Sequence, residues 1–256
     1  MKKKIGLALC GGAARGSAHL GVIQALEDFN LKPDYISGTS IGAVVAALYA
    51  FNVPISEIRK FAESLKWFKF TRFSLSRTGF MSNADVGRII ESIIGSKNIE
   101  DAKIKLAIVA SDIATGETVI LKKGKVSDAI MASTCIPGVF SPVILDGRML
   151  VDGLITENIP VSPLKPMGAD YIIAVSFNPK SKFRKPEGYI DVLLNAFEIA
   201  AWQRTEYFLQ EADAVVELNL EEFSRTDFRK KVDALFNEGY RQTVLQINSI
   251  KSSLNE

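Results

Sequence analysis

The sequence predicts an α/β fold, a mainly parallel sheet covered by helices on both faces. Two observations carry the prediction. Short apolar runs suited to buried strands alternate with stretches of helical apolar spacing along most of the chain. One such strand and helix meet at Gly38-Thr39-Ser40-Ile41-Gly42, a G-x-S-x-G turn of the kind that lifts a serine out of an α/β sheet. The 256 residues are 47% hydrophobic, ample for a sizeable core. No linker, repeat or low-complexity stretch divides them, so one domain over 1–256 is expected.

Residues 4–10 read as a buried strand and residues 11–16, Gly-Gly-Ala-Ala-Arg-Gly, as a loop. Leu20, Val22, Ile23, Leu26 and Phe29 give residues 19–29 a helical spacing. Residues 34–37 form the strand into the serine turn, and the small-residue run 43–49 forms the helix out of it. Ser56 caps a helix over 57–65, and residues 83–94 form another. Strands at 105–111 and 117–121 are joined at Thr115-Gly116, and residues 126–133 are helical. Asp146-Gly147 marks a hairpin between 143–145 and 148–151. An apolar strand at 171–176, a long helix at 190–209, a strand at 214–218 and a helical tail at 227–253 complete the chain. The tail's apolar stripe (Phe228, Val232, Leu235, Phe236, Val244, Ile247, Ile250) is expected to cover the core.

The net charge of +2 gives no global field for nucleic acid. Two cysteines, Cys10 and Cys135, make no disulfide framework and read as buried thiols in a reducing compartment. Met1 and three lysines before residues 5–10 imitate a secretion leader. That apolar run is too short for one, and Leu9 is too large for the position before a lipidated cysteine. The uncharged span 35–56 is long enough to cross a bilayer, but it holds the serine turn, Asn52 and Pro54, and reads as core. A cytoplasmic protein is expected, without metal or cofactor. The chain has a single histidine, distant cysteines and no carboxylate cluster with ligand spacing.

In the serine turn, Gly38 and Gly42 permit strained backbone and close packing. Ser40 lies at a helix N-terminus, which favours developing negative charge. Its base is not obvious. His19, the one histidine, precedes the serine and begins a helix, where a packing or hydrogen-bonding role suits it better than a triad role. A carboxylate is the natural substitute. Asp112 and Asp152 each follow a strand, Asp152 directly before Gly153, and spacing does not choose between them. Gly11 and Gly12 free backbone N–H groups for an anion. The loop lacks the lysine of a phosphate-binding P-loop and does not read G-x-G-x-x-G. An oxyanion hole is the better use of these amides. Arg15 either guides an anionic headgroup or pins the loop to a carboxylate. Cys135 has no histidine partner for nucleophilic work.

Taken in order, Gly11-Gly12-Ala13-Ala14-Arg15-Gly16-Ser17-Ala18-His19-Leu20-Gly21-Val22, then Gly38-Thr39-Ser40-Ile41-Gly42-Ala43, then Leu150-Val151-Asp152-Gly153 resemble the patatin-like phospholipase family. Residues 132–142 and Asn158-Ile159-Pro160 resemble further family segments. The likeness runs from about residue 4 to 176 and is weak in the C-terminal third. It implies a three-layer α/β/α fold and lipid acyl hydrolase activity through a Ser-Asp dyad. Ser40 would then be the nucleophile and Asp152 its base, with no histidine needed and Asp112 structural. Amides of Gly12 and Ala13, with Gly11 as a third donor, would hold the oxyanion. Two residues depart from the family pattern: Ala13 where a third glycine is usual, and Leu154 where Gly or Ala is usual. Both bear on substrate range more than on catalysis.

Residues 66–77 interleave Trp67, Phe68, Phe70 and Phe73 with cations, and no acidic residue occurs between Glu63 and Asp85. That pattern suits a lid or a membrane-surface contact, and equally a loop packing its rings on the core. Lys180, Lys182, Arg184 and Lys185 form a second basic stretch with Phe183. Single-stranded nucleic acid has no other support in the sequence. The expectation is a serine hydrolase of lipid acyl esters (phospholipase A, lysophospholipase or esterase), peripheral at the inner membrane surface. The alternative is a lipid- or acyl-binding regulatory protein of the same fold with little turnover, to which Ala13 and Leu154 would point.

Overall fold

The computed structural model describes residues 3–64, 72–76, 79–177, 185–186, 188–224 and 231–255. In chain order, β1 (Ile5–Leu9) leads through a 3-10 turn at Ala13–Gly16 into α1 (Ser17–Asp28). β2 (Tyr35–Thr39) runs through Ser40 into α2 (Ile41–Ala50), followed by α3 (Ile55–Ser64). A separate antiparallel hairpin, β3 (Arg72–Ser76) and β4 (Gly79–Ser82), precedes α4 (Ala84–Ile94). Then come β5 (Lys105–Asp112), β6 (Thr118–Leu121), α5 (Val126–Ser133), β7 (Val143–Leu145) and β8 (Arg148–Asp152). The short helices α6 (Leu154–Glu157) and α7 (Leu164–Met167) lead to β9 (Tyr171–Phe177), α8 (Tyr189–Gln210), β10 (Ala214–Leu218) and α9 (Val232–Asn255).

The main sheet has the order β10-β9-β1-β2-β5-β8-β7, with β6 also on β5. The five strands from β10 to β5 are parallel. The strands β6, β7 and β8 are antiparallel to their neighbours. Period-two alternation divides the faces. Ile5, Leu7 and Leu9 of β1, with Ile36, Ile173 and Val175, face the larger core beneath α1, α2 and α9. Ala8, Tyr35, Ile172 and Ala174 face a smaller one with Ile159, Val161 and Leu164. This is the predicted three-layer α/β/α arrangement.

The sequence did not signal the β3–β4 hairpin. Phe73 lies in β3 by its backbone, whereas Trp67, Phe68 and Phe70 of the expected lid lie outside the described residues. Among the described residues no helix is long and apolar enough to cross a membrane. The uncharged span that begins at Tyr35 is instead a fully buried strand and helix, β2 and α2.

The helical tail covers its own core, as expected. Gly21 of α1 and Gly239 of α9 let the two helices meet backbone to backbone: a Cβ on either would collide with a carbonyl oxygen, that of Phe236 or of Ala18. Phe228 of the expected stripe lies outside the described residues. The tail also closes the outer edge of β10. Gln242 Oε1 accepts from Asn219 N–H at 2.9 Å, and its Nε2 donates to Asn219 O at 3.0 Å. Gln246 repeats the pair on Glu217, at 3.1 and 3.0 Å. Two glutamines one turn apart thus bond alternate residues of the edge, as a further strand would. The double variant Gln242→Ala/Gln246→Ala is expected to lose about 2 kcal/mol of stability. It should also self-associate with rising concentration, read by size exclusion with light scattering.

Candidate active site

Ser40 sits between β2 and α2 at φ 53° and ψ −122°, in the left-handed half of backbone space. Close packing holds it there. A Cβ at Gly38 would collide with the Gly42 carbonyl oxygen, and one at Gly42 with the Leu9 carbonyl oxygen. Ser40 N–H donates to Ser133 Oγ at 2.8 Å, and Ser133 Oγ–H donates to Val109 O at 2.6 Å. The Ser40 carbonyl accepts from Ala43 N–H at 2.9 Å, closing the first turn of α2.

Strand register brings the carboxylate. β2 pairs with residues 105–109 of β5, ending at Thr39 opposite Val109. β6 pairs with residues 108–111 and β8 with residues 110–112. A strand has two edges, and β6 overlaps β2 at Ile108 and Val109. β6 therefore lies on the far edge, and β8 takes over the edge that β2 leaves. β2 and β8 thus approach head-on with their carboxyl ends. Ser40 follows Thr39, and Asp152 lies opposite Ala110. Ser40 Oγ–H donates to Asp152 Oδ2 at 2.7 Å.

Asp152 is 2% exposed. Its other oxygen, Oδ1, accepts from Leu154 N–H at 2.9 Å, and its own N–H donates to Cys135 O at 2.8 Å. Burial pushes its carboxyl up to about 7, against the bonds from Leu154 and Ser40 that favour the anion. A Cβ at Gly153 would come within 2.5 Å of Val109 O, so the chain after Asp152 lies tight on β5.

Asp112, the other candidate, holds its own turn. Its Oδ1 accepts from Ala114 N–H at 3.0 Å, and Oδ2 lies 3.9 Å from Arg148 Nη1. His19 is fully buried, its Nε2 2.8 Å from Cys10 O and its ring stacked on Phe177 at 4.3 Å. Burial brings its pKa down to about 4, so the ring is neutral, and its partners are Cys10 and Phe177 rather than Ser40. Both cysteines are buried. Burial, then the charge of Asp152, pushes the Cys135 thiol up to about 12.

The glycine loop differs from expectation at Gly11. Its N–H is bonded to Asn158 twice over, to the backbone carbonyl at 3.2 Å and to Oδ1 at 3.1 Å. Gly11 therefore anchors the loop, and the third oxyanion donor assigned to it falls away. A Cβ there would lie 3.4 Å from Ser40 Cβ, which fixes how closely the loop approaches the serine. Among the described residues the N–H groups of Gly12 and Ala13 have no acceptor. Ala13 takes φ 51°, the left-handed conformation that a third glycine would adopt freely, at a cost of roughly 1 kcal/mol. Arg15 is buried and its Nε donates to Phe223 O at 3.1 Å. Of its two sequence readings, pinning is what the geometry supports, with a backbone carbonyl as this partner.

Beside the pair lies an apolar cluster of Cys135, Ile136, Val139, Phe140, Val151 and Leu154, closed by Leu194 of α8. Ala13, Ile190, Leu193 and Phe197 pack against it. Three residues that position the site had no assigned role in the sequence reading: Ser133, Glu157 and Asn158. The Glu157 carbonyl accepts from Thr39 Oγ1 at 2.8 Å, and its buried carboxylate accepts both Ser162 N–H and Oγ–H. Ser133 and Asn158 fall in the family-like segments, which was the available signal. Among the described residues no three His, Cys, Asp or Glu side chains converge as metal ligands. Asn158→Ala removes the side-chain half of the Gly11 anchor and leaves the bond to the backbone carbonyl. It is expected to lower kcat for ester substrates about tenfold to a hundredfold with KM little changed, read by steady-state kinetics.

The model of the family described as patatin-like phospholipase matches residues 7–165. An "uncharacterized NTE family protein" of Mycobacterium tuberculosis is 38% identical over 178 residues, 68% of this chain and 49% of that protein. "Lysophospholipase NTE1" of Meyerozyma guilliermondii is 35% identical over 195 residues, 74% of this chain and 14% of that protein. The chain thus spans about half the length of the first and about a seventh of the second. VipD of Legionella pneumophila shares the fold, with a TM-score of 0.67 at 16% identity over 97% of this chain and 67% of that one. The family match runs from β1 into α7 and takes in the glycine loop, Ser40 and Asp152; this chain belongs to the patatin-like phospholipase family.

Proposed function

We propose that the chain works as one domain that hydrolyses fatty-acyl esters of lipids, with Ser40 as nucleophile and Asp152 as its base. The observation that carries the reading is the 2.7 Å bond from Ser40 Oγ–H to a buried carboxylate. A base must lie within such reach of the proton it takes, and a carboxyl raised to about 7 works near neutral pH. In the first step Asp152 accepts the Ser40 proton as Oγ bonds to the ester carbonyl carbon. The N–H groups of Gly12 and Ala13 hold the resulting oxyanion. Collapse breaks the bond to the alcohol, which leaves with the proton from Asp152. Water then attacks the acyl-serine, giving its proton to Asp152; collapse breaks the bond from Oγ to the acyl carbon, Oγ takes that proton back from Asp152, and the carboxylic acid departs.

The apolar cluster closed by Leu154 and Leu194 is the candidate acyl site. Lipid rather than small-ester chemistry is supported by that cluster and by the name of the yeast relative, a lysophospholipase. The protein would then meet its substrate at the cytoplasmic face of a membrane. A series of p-nitrophenyl esters of increasing chain length, followed by lysophosphatidylcholine, tests the reading. The expected result is kcat/KM rising with chain length beyond butyrate, and release of fatty acid from the lysolipid. Acyl binding without hydrolysis at any length would contradict it and favour the binding-protein alternative.

A further inference from the structure

The helix α8 is apolar on two opposite sides. Ile190, Leu194 and Phe197 face the cluster beside Asp152. Away from it stand Tyr189, Val192, Ile199 and Tyr207, exposed by 64, 51, 56 and 58%. At about 100° per residue these four, with Ala196 and Gln203, occupy an arc of roughly 80°, and no charged residue of α8 falls inside it. Four of the eight large apolar side chains exposed among the described residues therefore lie in one stripe along one helix.

The stripe is too small to hold two copies together. From Tyr189 to Tyr207 it runs about 27 Å, and at about 10 Å wide it offers about 270 Å², against roughly 800 Å² per partner in a stable interface. A lipid surface fits it better. Tyrosines at both ends, with Val192, Ala196 and Ile199 between them, match rings at headgroup level and aliphatic groups below. The sequence entering the helix holds Lys180, Lys182, Arg184 and Lys185 against one carboxylate, Glu187, which complements anionic headgroups. Lys185, the last of these cations, is exposed.

The geometry points to α8 as the element that docks this protein on an anionic lipid bilayer, lying flat on its Tyr189–Tyr207 face. The opposite face of the same helix closes the candidate acyl site, so docking sets that site at the bilayer surface. The purpose of docking rests on the proposed hydrolase reading; the docking itself does not.

The experiment is flotation of the full chain carrying Ser40→Ala, so that vesicles stay intact and binding is read apart from chemistry. With vesicles of phosphatidylcholine and phosphatidylglycerol the protein is expected to float, and with phosphatidylcholine alone to float much less. Adding Val192→Glu and Ile199→Glu is expected to lower the partition about tenfold or more. The same two substitutions with Ser40 intact should leave the thermal midpoint and any p-nitrophenyl butyrate hydrolysis unchanged, which excludes misfolding. Flotation unaffected by the two glutamates, or no flotation with either vesicle, would overturn the proposal. So would a dimer in solution that V192E/I199E converts to monomer. Flotation that depends on the stripe in a protein without ester hydrolysis would sink the hydrolase reading and leave the docking surface standing.

Discussion

Ser40→Ala is expected to lower lipid-ester hydrolysis on the order of 10⁴-fold or more while the fold persists. The size of the loss follows from what the hydroxyl does. Loop substitutions would remove one stabilising donor, worth roughly 10²–10³-fold, whereas this one removes the proposed nucleophile. The fold persists because Ser40 is held by its backbone. Its N–H bond to Ser133 and its carbonyl bond from Ala43 need no side chain, and Ala13 already shows alanine at φ 51° in this protein. Steady-state assays beside a thermal melt read both halves. Turnover near wild type would remove Ser40 from the reaction.

Asp152→Asn is expected to be equally inactive and, above neutral pH, more stable than the wild type. Burial is the largest influence on Asp152 and raises its carboxyl from 3.8 to about 7. The folded state therefore holds the proton more tightly than the unfolded chain does. Stability from that proton is complete below pH 4 and is lost as pH rises through 7, a difference of about 4 kcal/mol. Asparagine has no charge to bury and can still accept from Leu154 N–H. Urea unfolding at pH 8 should thus favour the variant by up to about 4 kcal/mol, with the gap closing below pH 4. Equal stabilities at both pH values would mean that the carboxylate carries no such burden. With Asp152 as the proposed base, wild-type kcat/KM should also rise with pH through about 7, as that carboxyl loses its proton.

The alternation of strands and helices was legible because buried parallel strands read as short apolar runs, and the Asp146-Gly147 hairpin because its turn demands positive φ, observed at both residues. The serine turn was legible for the same kind of reason, since Gly38 and Gly42 stand where a Cβ would strike backbone. The partner of Ser40 was not. Asp112 and Asp152 look alike in sequence, and they differ only because β8 takes the edge of β5 that β2 leaves, a matter of register between distant strands. Family likeness, rather than spacing, had singled out Asp152. Gly11 was misread because its amide is taken by Asn158, 147 positions away, and no local pattern reports that bond. Arg15 found its partner at Phe223, beyond the segment with family likeness. The doubled apolar character of α8 was hidden by its own sequence, because two opposing stripes cancel the periodicity that one would show.

A fluorophosphonate probe followed by peptide mass spectrometry tests the central claim most directly, since the probe bonds only to an activated nucleophile. The Ser40–Asp152 pair predicts one adduct, on the peptide that contains Ser40, forming faster as pH rises through about 7 and not forming in Asp152→Asn. An adduct on any other residue, or labelling of Asp152→Asn at the wild-type rate, would contradict it.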